Sequence, residues 1–94
     1  MNDKVARHRL LCDEINQLYA QKNHDYGDSF HETFLEEGMA MSRIRLMDKL
    51  NRFKKLSKSE RMVKDESIRD TLLDLANYAL MTVLEMEEFD RGTE

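Results

Sequence analysis

The sequence has few of the residues that divide a chain into short segments. Its 94 residues include no proline, no tryptophan and three glycines. A β-sandwich or β-barrel needs frequent turns, which are usually built with glycine and proline. Because the sequence also shows no sustained alternation of apolar and polar residues, we predict an all-α protein that folds as a single domain over residues 1–94.

A long apolar run and a second cysteine are also missing. No run approaches the ~20 apolar residues of a membrane-spanning helix, and the first residues, Met-Asn-Asp-Lys, lack the hydrophobic stretch of a signal peptide. The single cysteine, Cys12, excludes a disulfide within the chain and is typical of a reducing compartment. We therefore expect a cytoplasmic protein with no membrane partner, in which Cys12 is a small buried apolar side chain.

Positive net charge is absent as well. The formal net charge is −4, which argues against a general nucleic-acid-binding protein. The three histidines, His8, His24 and His31, do not have the spacing of zinc ligands. Nucleic-acid binding and a histidine-based zinc site are therefore not expected.

Apolar periodicity divides the chain into three long helices and one short helix. We predict a first helix from about Asp3 to about Lys22, a short helix from Ser29 to about Gly38, a second long helix from about Ala40 to Leu56, and a last helix from about Asp65 to about Phe89. Residues 22–29 are expected to form the main loop, and the spacing of Ser29 and Glu32 predicts a capping box.

The apolar positions predict a small core and association between copies. On the second long helix the apolar side comprises Leu46, Met47, Leu50 and Phe53, opposite a basic side, and on the last helix the core stripe comprises Ile68, Leu72, Leu75, Ala79 and Val83. A chain of this length buries a modest core, and its seven methionines suit core filling or subunit contacts. We expect a compact bundle that forms a dimer or a larger homo-oligomer.

An acidic stripe is the most distinctive polar pattern. Glu66, Asp70, Asp74 and Asn77 follow one another at intervals that place them along one side of the last helix. Stacked like charges cost roughly a few tenths of a kcal/mol per pair, so they need a cation, a basic partner or full solvation. The stripe predicts either a Mg²⁺ site whose ligands are Glu66, Asp70 and Asp74, or a solvated helix surface.

Basic residues recur on the second long helix. Arg45, Lys49 and Arg52 are spaced so that all three could receive phosphate groups. The alternative is a surface that pairs with acidic residues of the next helix, worth roughly 0–1 kcal/mol per exposed pair. Asp48 lies among these cations and is expected to form a salt bridge.

The segment containing Lys22, Asp25, Tyr26 and Gly27 combines a cation, a ring and a flexible hinge. Tyr26 would stack on a nucleobase there. The alternative is that Tyr26 covers the core.

Taken together, these positions resemble the nucleotide modification associated domain 1 family. The resemblance rests on three ordered blocks, Lys22-x-x-Asp25-Tyr26-Gly27-Asp28-Ser29-Phe30, Arg45-x-x-Asp48-Lys49-x-x-Arg52-Phe53 and Asp65-Glu66-x-x-x-Asp70-Thr71-Leu72-Leu73-Asp74-Leu75-Ala76-Asn77-Tyr78-Ala79. It extends over about residues 15 to 85. Members are small helical proteins common in phages and bacteria. The resemblance implies that the protein handles nucleotides, in the host cytoplasm if it is phage-encoded.

The last block also resembles the second metal motif of the MazG-like all-α nucleoside triphosphate pyrophosphatases. That resemblance implies that Glu66 and Asp70 hold Mg²⁺, that Asn77 corresponds to a further motif residue, and that Asp74 is an additional acid. Those enzymes carry a Glu-x-x-Glu pair on the preceding long helix, where this chain has mainly cations. A site with this substitution is compatible with phosphate binding without hydrolysis, whereas the Glu66, Asp70 and Asn77 pattern fits a metal site and slightly favours catalysis.

Three functions follow from these patterns. The first is Mg²⁺-dependent hydrolysis of a nucleoside triphosphate or modified nucleotide, in which Asp74 orients water while Lys49 and Arg52 neutralise developing charge. The second is nucleotide binding or sequestration without turnover, with contacts from Lys22, Asp25, Tyr26, Gly27, Arg45, Lys49, Arg52 and Asn77. The third is a structural oligomerisation module whose charged stripes pair between subunits.

Overall fold

A computed structural model of the protein describes residues 3–58 and 64–92, with the side chains of Tyr26, residues 64–66 and residues 91–92 left undescribed. Within these ranges the chain forms four helices and no strand: α1 (Lys4–Tyr26), α2 (Ser29–Glu37), α3 (Met39–Ser57) and α4 (Lys64–Gly92). The predicted all-α bundle of three long helices and one short helix is confirmed. None of the described helices combines the length and apolar composition needed to cross a bilayer.

The most extensive helix contact joins α3 to α4. The hydroxyl of Thr82 donates to that of Ser42 at 2.9 Å, and Arg52 Nε donates to Thr71 Oγ1 at 3.3 Å. Residue numbers rise along α3 as they fall along α4, so the two helices form an antiparallel hairpin.

Polar contacts also fasten α1 to α4. Asn77 Nδ2 donates to the backbone carbonyl of Ile15 at 3.0 Å. The guanidinium of Arg69 donates two hydrogen bonds to the Glu14 carboxylate, at 2.8 and 2.9 Å. Bidentate geometry of this kind fixes orientation as well as distance.

The short helix α2 is held on α4 by a histidine and a carboxylate. His31 Nδ1 lies 2.6 Å from the nearer oxygen of Glu85, whose side chain is 9% exposed. This hydrogen bond is the main reason why the pKa of His31 is raised above its usual value of 6.5. A protonated His31 therefore stabilises the packing of α2.

The predicted loop over residues 22–29 is mostly wrong, because α1 continues to Tyr26. Residues 22–26 include no glycine or proline, and Gln21 supports this last turn by donating to Asp25 at 3.1 Å. The helix ends where Gly27 adopts a φ of 72°, in the left-handed region that favours glycine. Ser29 is the first residue of α2 and Asp28 occupies the N-cap without a side-chain bond, so the predicted capping box is also absent.

The predicted core stripe of α4 is only partly buried. Ile68 and Leu75 are half-buried, but Leu72, Ala79 and Val83 are exposed, whereas the polar residues Thr71 and Glu85 are buried. The hydroxyl of Thr71 is satisfied within its own helix by donating to the Ser67 carbonyl at 2.7 Å. Polar partners within and across helices thus allow hydrophilic residues to take the inward positions.

Two other burial predictions are also wrong. On α3, Met47 is 52% exposed while Lys49, assigned to the opposite side, turns towards α4. Cys12 is exposed rather than buried, and its Sγ lies 3.7 Å from His8 Nδ1.

Few apolar side chains are buried, so truncating any one of them should lower the free energy of unfolding. Among the described residues, Ile15 at 8% exposure and Met41 at 6% are the buried apolar side chains. We expect Ile15→Ala to lower the free energy of unfolding by about 2–4 kcal/mol, because it leaves a cavity between α1 and α4. Urea unfolding measures this, and Leu10→Ala, at a position on the same helix that is 66% exposed, should cost much less. Equal losses would contradict the assigned core.

The contact between His31 and Glu85 predicts a pH-dependent stability. Since the folded pKa of His31 is raised, its stabilisation is complete below pH 6.5 and is lost as the pH rises through the folded pKa. His31→Gln should therefore lower the melting temperature at about pH 5.5, and the difference from the unmodified protein should shrink by about pH 8.5. Glu85→Gln should remove the same pH dependence. A difference that stays constant across this range would refute the assignment.

Candidate functional site

A cavity of about 340 Å³ opens where all four helices and the turn between α1 and α2 meet. The residues that line it come from each of these elements. They are Tyr19, Lys22 and Asn23 of α1, Gly27 and Asp28 of the turn, Ser29, Phe30 and Thr33 of α2, Met41 and Arg45 of α3, and Asp74, Asn77, Tyr78 and Met81 of α4.

One wall of the cavity carries an ion-pair cluster around Asp74. Lys49 Nζ lies 3.1 Å from one carboxylate oxygen of Asp74, and Lys22 Nζ lies 3.6 Å from the other. Asp74 and Lys49 are half-buried, whereas Lys22 is largely exposed. The cluster therefore ties α1, α3 and α4 together and leaves Lys22 accessible from solvent.

Aromatic side chains form another part of the cavity. The rings of Phe30 and Tyr78 stack with their centroids 5.9 Å apart and an angle of 30° between their planes. Burial, together with the charges of Asp28 and Glu85, raises the pKa of the Tyr19 phenol. Tyr19 thus stays protonated at neutral pH and presents a hydroxyl donor.

Asn77 is held in place at the floor between α1 and α4. Its side-chain NH₂ donates to the Ile15 carbonyl, which fixes the plane of the amide. The amide thereby faces the cavity with a defined orientation rather than as a freely rotating group.

Five of the residues proposed from the sequence as binding or catalytic residues line this cavity. They are Lys22, Gly27, Arg45, Asp74 and Asn77. Lys49 is not part of the lining but contacts it through Asp74. Arg52 lies one turn further along α3, where its Nε donates to Thr71.

Two further predicted residues, Asp25 and Asp70, do not line the cavity. Asp25 is exposed and bonds to Gln21 on α1, and Asp70 is exposed on α4. The side chains of Tyr26 and Glu66 lie outside the described residues.

The described side chains include no preformed cluster of metal ligands. Among them, no group of three or more histidine, cysteine, aspartate or glutamate residues is arranged to hold a metal ion. Asp74 and Asp28 both line the cavity, but the carboxylate of Asp74 is engaged by two lysines. A metal centre on the acidic stripe would depend on Glu66.

Sequence reasoning missed most of the apolar and aromatic wall. Tyr19, Phe30, Tyr78 and Met81 were not proposed as binding residues. Phe30 and Tyr78 adjoin Ser29 and Asn77 within the ordered blocks, and this adjacency was the available signal. Tyr19 and Met81 carry no such signal, because an aromatic or methionine at helical spacing is equally typical of a core.

Comparison with known proteins identifies the family. No curated protein and no solved structure matches the chain. The family model described as nucleotide modification associated domain 1 matches residues 22–86. This match includes the turn between α1 and α2, all of α2 and α3, and the cavity-lining part of α4. The chain therefore belongs to the nucleotide modification associated domain 1 family.

Proposed function

We propose that the protein binds a nucleotide in the cavity between its four helices. The observation that carries this proposal is the placement of Lys22 and Arg45 in the same cavity as the stacked rings of Phe30 and Tyr78. A nucleotide presents the matching pair of features, an anionic phosphate and a flat aromatic base. The volume of about 340 Å³ lies at the lower end of the range for small-molecule sites.

The cations would receive the phosphate. Lys22 and Arg45 are exposed side chains of different helices that meet at the cavity, so a phosphate between them could be contacted from two directions. Arginine suits bidentate contact with phosphate oxygens, while lysine acts as a point charge. Asp74 occupies an anionic position between Lys22 and Lys49, and a phosphate would compete with it for both lysines.

The aromatic wall would receive the base. A base can stack on exposed ring surface of Phe30 or Tyr78, and such stacking is worth about 1–3 kcal/mol per base in single-stranded nucleic-acid complexes. Tyr19 offers a hydroxyl donor, and Asp28 offers a carboxylate acceptor for a base edge or a sugar hydroxyl. Through these contacts, the two polar groups would distinguish one base or sugar from another.

Binding without turnover is the form of this proposal that the described geometry favours. The carboxylate of Asp74 is neutralised by two lysines, so a divalent cation would have to displace both of them. Cations also stand where the MazG-like pyrophosphatases have a Glu-x-x-Glu pair. Sequestration of a nucleotide, linear or cyclic, is consistent with both features.

Mg²⁺-dependent hydrolysis of a nucleoside triphosphate is the second candidate. The observation in its favour is that two carboxylates, Asp28 and Asp74, line the same cavity. Glu66 and Asp70 precede Asp74 at four-residue intervals on α4 and would supplement the ligand set. When bound, the metal would supply a Lewis acid for a phosphoryl oxygen.

The role of the cations is tested by charge-matched substitutions on α3. Arg45→Gln should weaken nucleotide binding at least tenfold, about 1.4 kcal/mol, because it removes a phosphate contact from the cavity. Isothermal titration with nucleoside mono-, di- and triphosphates and cyclic nucleotides, with Mg²⁺ and with EDTA, measures the change. Arg43→Gln, which alters an exposed arginine of the same helix that does not line the cavity, is the control.

Equal affinities for the two arginine variants would contradict phosphate binding in this cavity. If no nucleotide binds the unmodified protein in either Mg²⁺ or EDTA, the structural module becomes the better explanation.

Asp74→Asn separates binding from hydrolysis. If the protein only binds nucleotide, this change should tighten binding about three- to tenfold, because it removes a like charge that competes for Lys22 and Lys49. If the protein hydrolyses nucleotide, the same change should abolish Mg²⁺-dependent product release. Titration and chromatographic recovery of the ligand give the two readouts on one sample.

Asp70→Asn is the matched control, since it removes the same charge one turn earlier at an exposed position. If the protein only binds nucleotide, Asp70→Asn should change the affinity less than twofold. If the protein hydrolyses nucleotide with Asp70 as a metal ligand, Asp70→Asn should also abolish turnover. Weaker binding by Asp74→Asn in EDTA, with thermal stability unchanged, would refute the competition between Asp74 and phosphate.

A further inference from the structure

The chain exposes more surface than a folded monomer of its size. Its accessible surface is 7790 Å². The scaling of monomeric proteins gives about 5,700 Å² for a mass of 11.2 kDa, so that the excess is about 2,100 Å². Obligate dimers bury about 1,000–2,500 Å² per partner. The excess is therefore of the size that a stable interface between two copies would remove.

Part of this surface is an apolar stripe on α4, made of Leu72, Ala76, Ala79, Val83 and Met86. All five residues are exposed within the chain. Their spacings of four, three, four and three residues give a period of 3.5, which is that of a coiled-coil seam rather than of a helix packed on a globular core. The stripe is about 21 Å long and lies away from the polar side of α4 that contacts α3.

An apolar groove extends this stripe towards α1. The groove has a volume of about 230 Å³, and its walls include Ile15 of α1 and Leu80 and Leu84 of α4. Leu80 and Leu84 are themselves 52% and 45% exposed. The stripe and the groove together form a broad apolar surface with two alanines near its centre, which allows close approach of another helix.

We propose that a second copy of the chain covers this surface, with the two α4 helices packed antiparallel about a twofold axis near Ala79. An isologous contact of this kind places Leu72 of each copy opposite Met86 of the other and Ala79 opposite itself. The same operation brings Ala76 of each copy to within about one residue, or about 1.5 Å along the helix, of Val83 of the other.

Charge and dipoles favour the antiparallel arrangement. The C-terminal end of α4 carries Glu85, Glu87 and Glu88. Antiparallel packing keeps these acidic ends of the two copies apart and opposes the two helix dipoles. Parallel packing would instead bring the acidic ends of both copies together, at a cost in repulsion.

The oligomeric state is tested by sedimentation and by designed disulfides. The unmodified protein at about 100 μM should sediment with twice the 11.2 kDa mass of the chain, well above the dissociation constant expected for an obligate interface. In a Cys12→Ser background, Ala79→Cys should form a disulfide-linked dimer under mild oxidation, because the two residues meet at the axis. Leu72→Cys should not, since its partner copy lies about 21 Å away along the helix.

Two exposed apolar positions provide a matched pair of charged variants. Ala79→Glu should dissociate the dimer, whereas Ile44→Glu, at a position on α3 that is 60% exposed and outside this surface, should leave it intact. If Ala79→Glu does not fold, the disulfide experiment decides.

A monomer at 100 μM, a folded and dimeric Ala79→Glu variant, or failure of Ala79→Cys to cross-link would each overturn the proposal. Efficient cross-linking through Leu72→Cys would overturn the antiparallel arrangement.

Discussion

The carboxylate of Asp74 joins three helices through two lysines, and this contact brings charged side chains of all three helices to the wall of the cavity. Lys49 approaches it from α3 and Lys22 from α1, at 3.1 and 3.6 Å. The two lysines offset the partial loss of hydration of this half-buried carboxylate. Neighbouring polar contacts of α4, such as that of Glu85 with His31 of α2, follow the same rule.

The helices were predictable from the sequence because periodicity and glycine positions are local properties. The start of α2 at Ser29 was predicted at the observed residue, both ends of α3 to within one residue, and the start and end of α4 to within one and three residues. The end of α1 was missed because residues 22–26 are turn formers by composition but contain no glycine or proline to force a break. Gly27, with its positive φ, is where the helix ends.

The inward and outward sides of α4 could not be predicted by the same reasoning. An apolar stripe is normally assigned to the core, which led to Leu72 and Val83 being placed inside. In the fold, Thr71 and Glu85 take inward positions, because partners on neighbouring elements satisfy them. Such pairings join residues far apart in sequence, so no local pattern reveals them. Among the residues that line the cavity, the cations and Asn77 could be predicted as binding residues from their side-chain chemistry. Tyr19 could not, because an aromatic residue at helical spacing is equally typical of a core.

The cavity and the apolar groove share a wall, which gives the two proposals a physical connection. Tyr19, Asn77 and Met81 line both spaces. Asn77 is already fixed by its hydrogen bond to the Ile15 carbonyl. If both proposals hold, a second copy packed on the groove would restrict Tyr19 and Met81, and a nucleotide in the cavity would restrict them from the other side. Whichever event occurs first bears the cost of ordering the shared wall, so that the second costs less. Linkage then requires the effect to be reciprocal: association would strengthen nucleotide binding by the same factor by which nucleotide strengthens association.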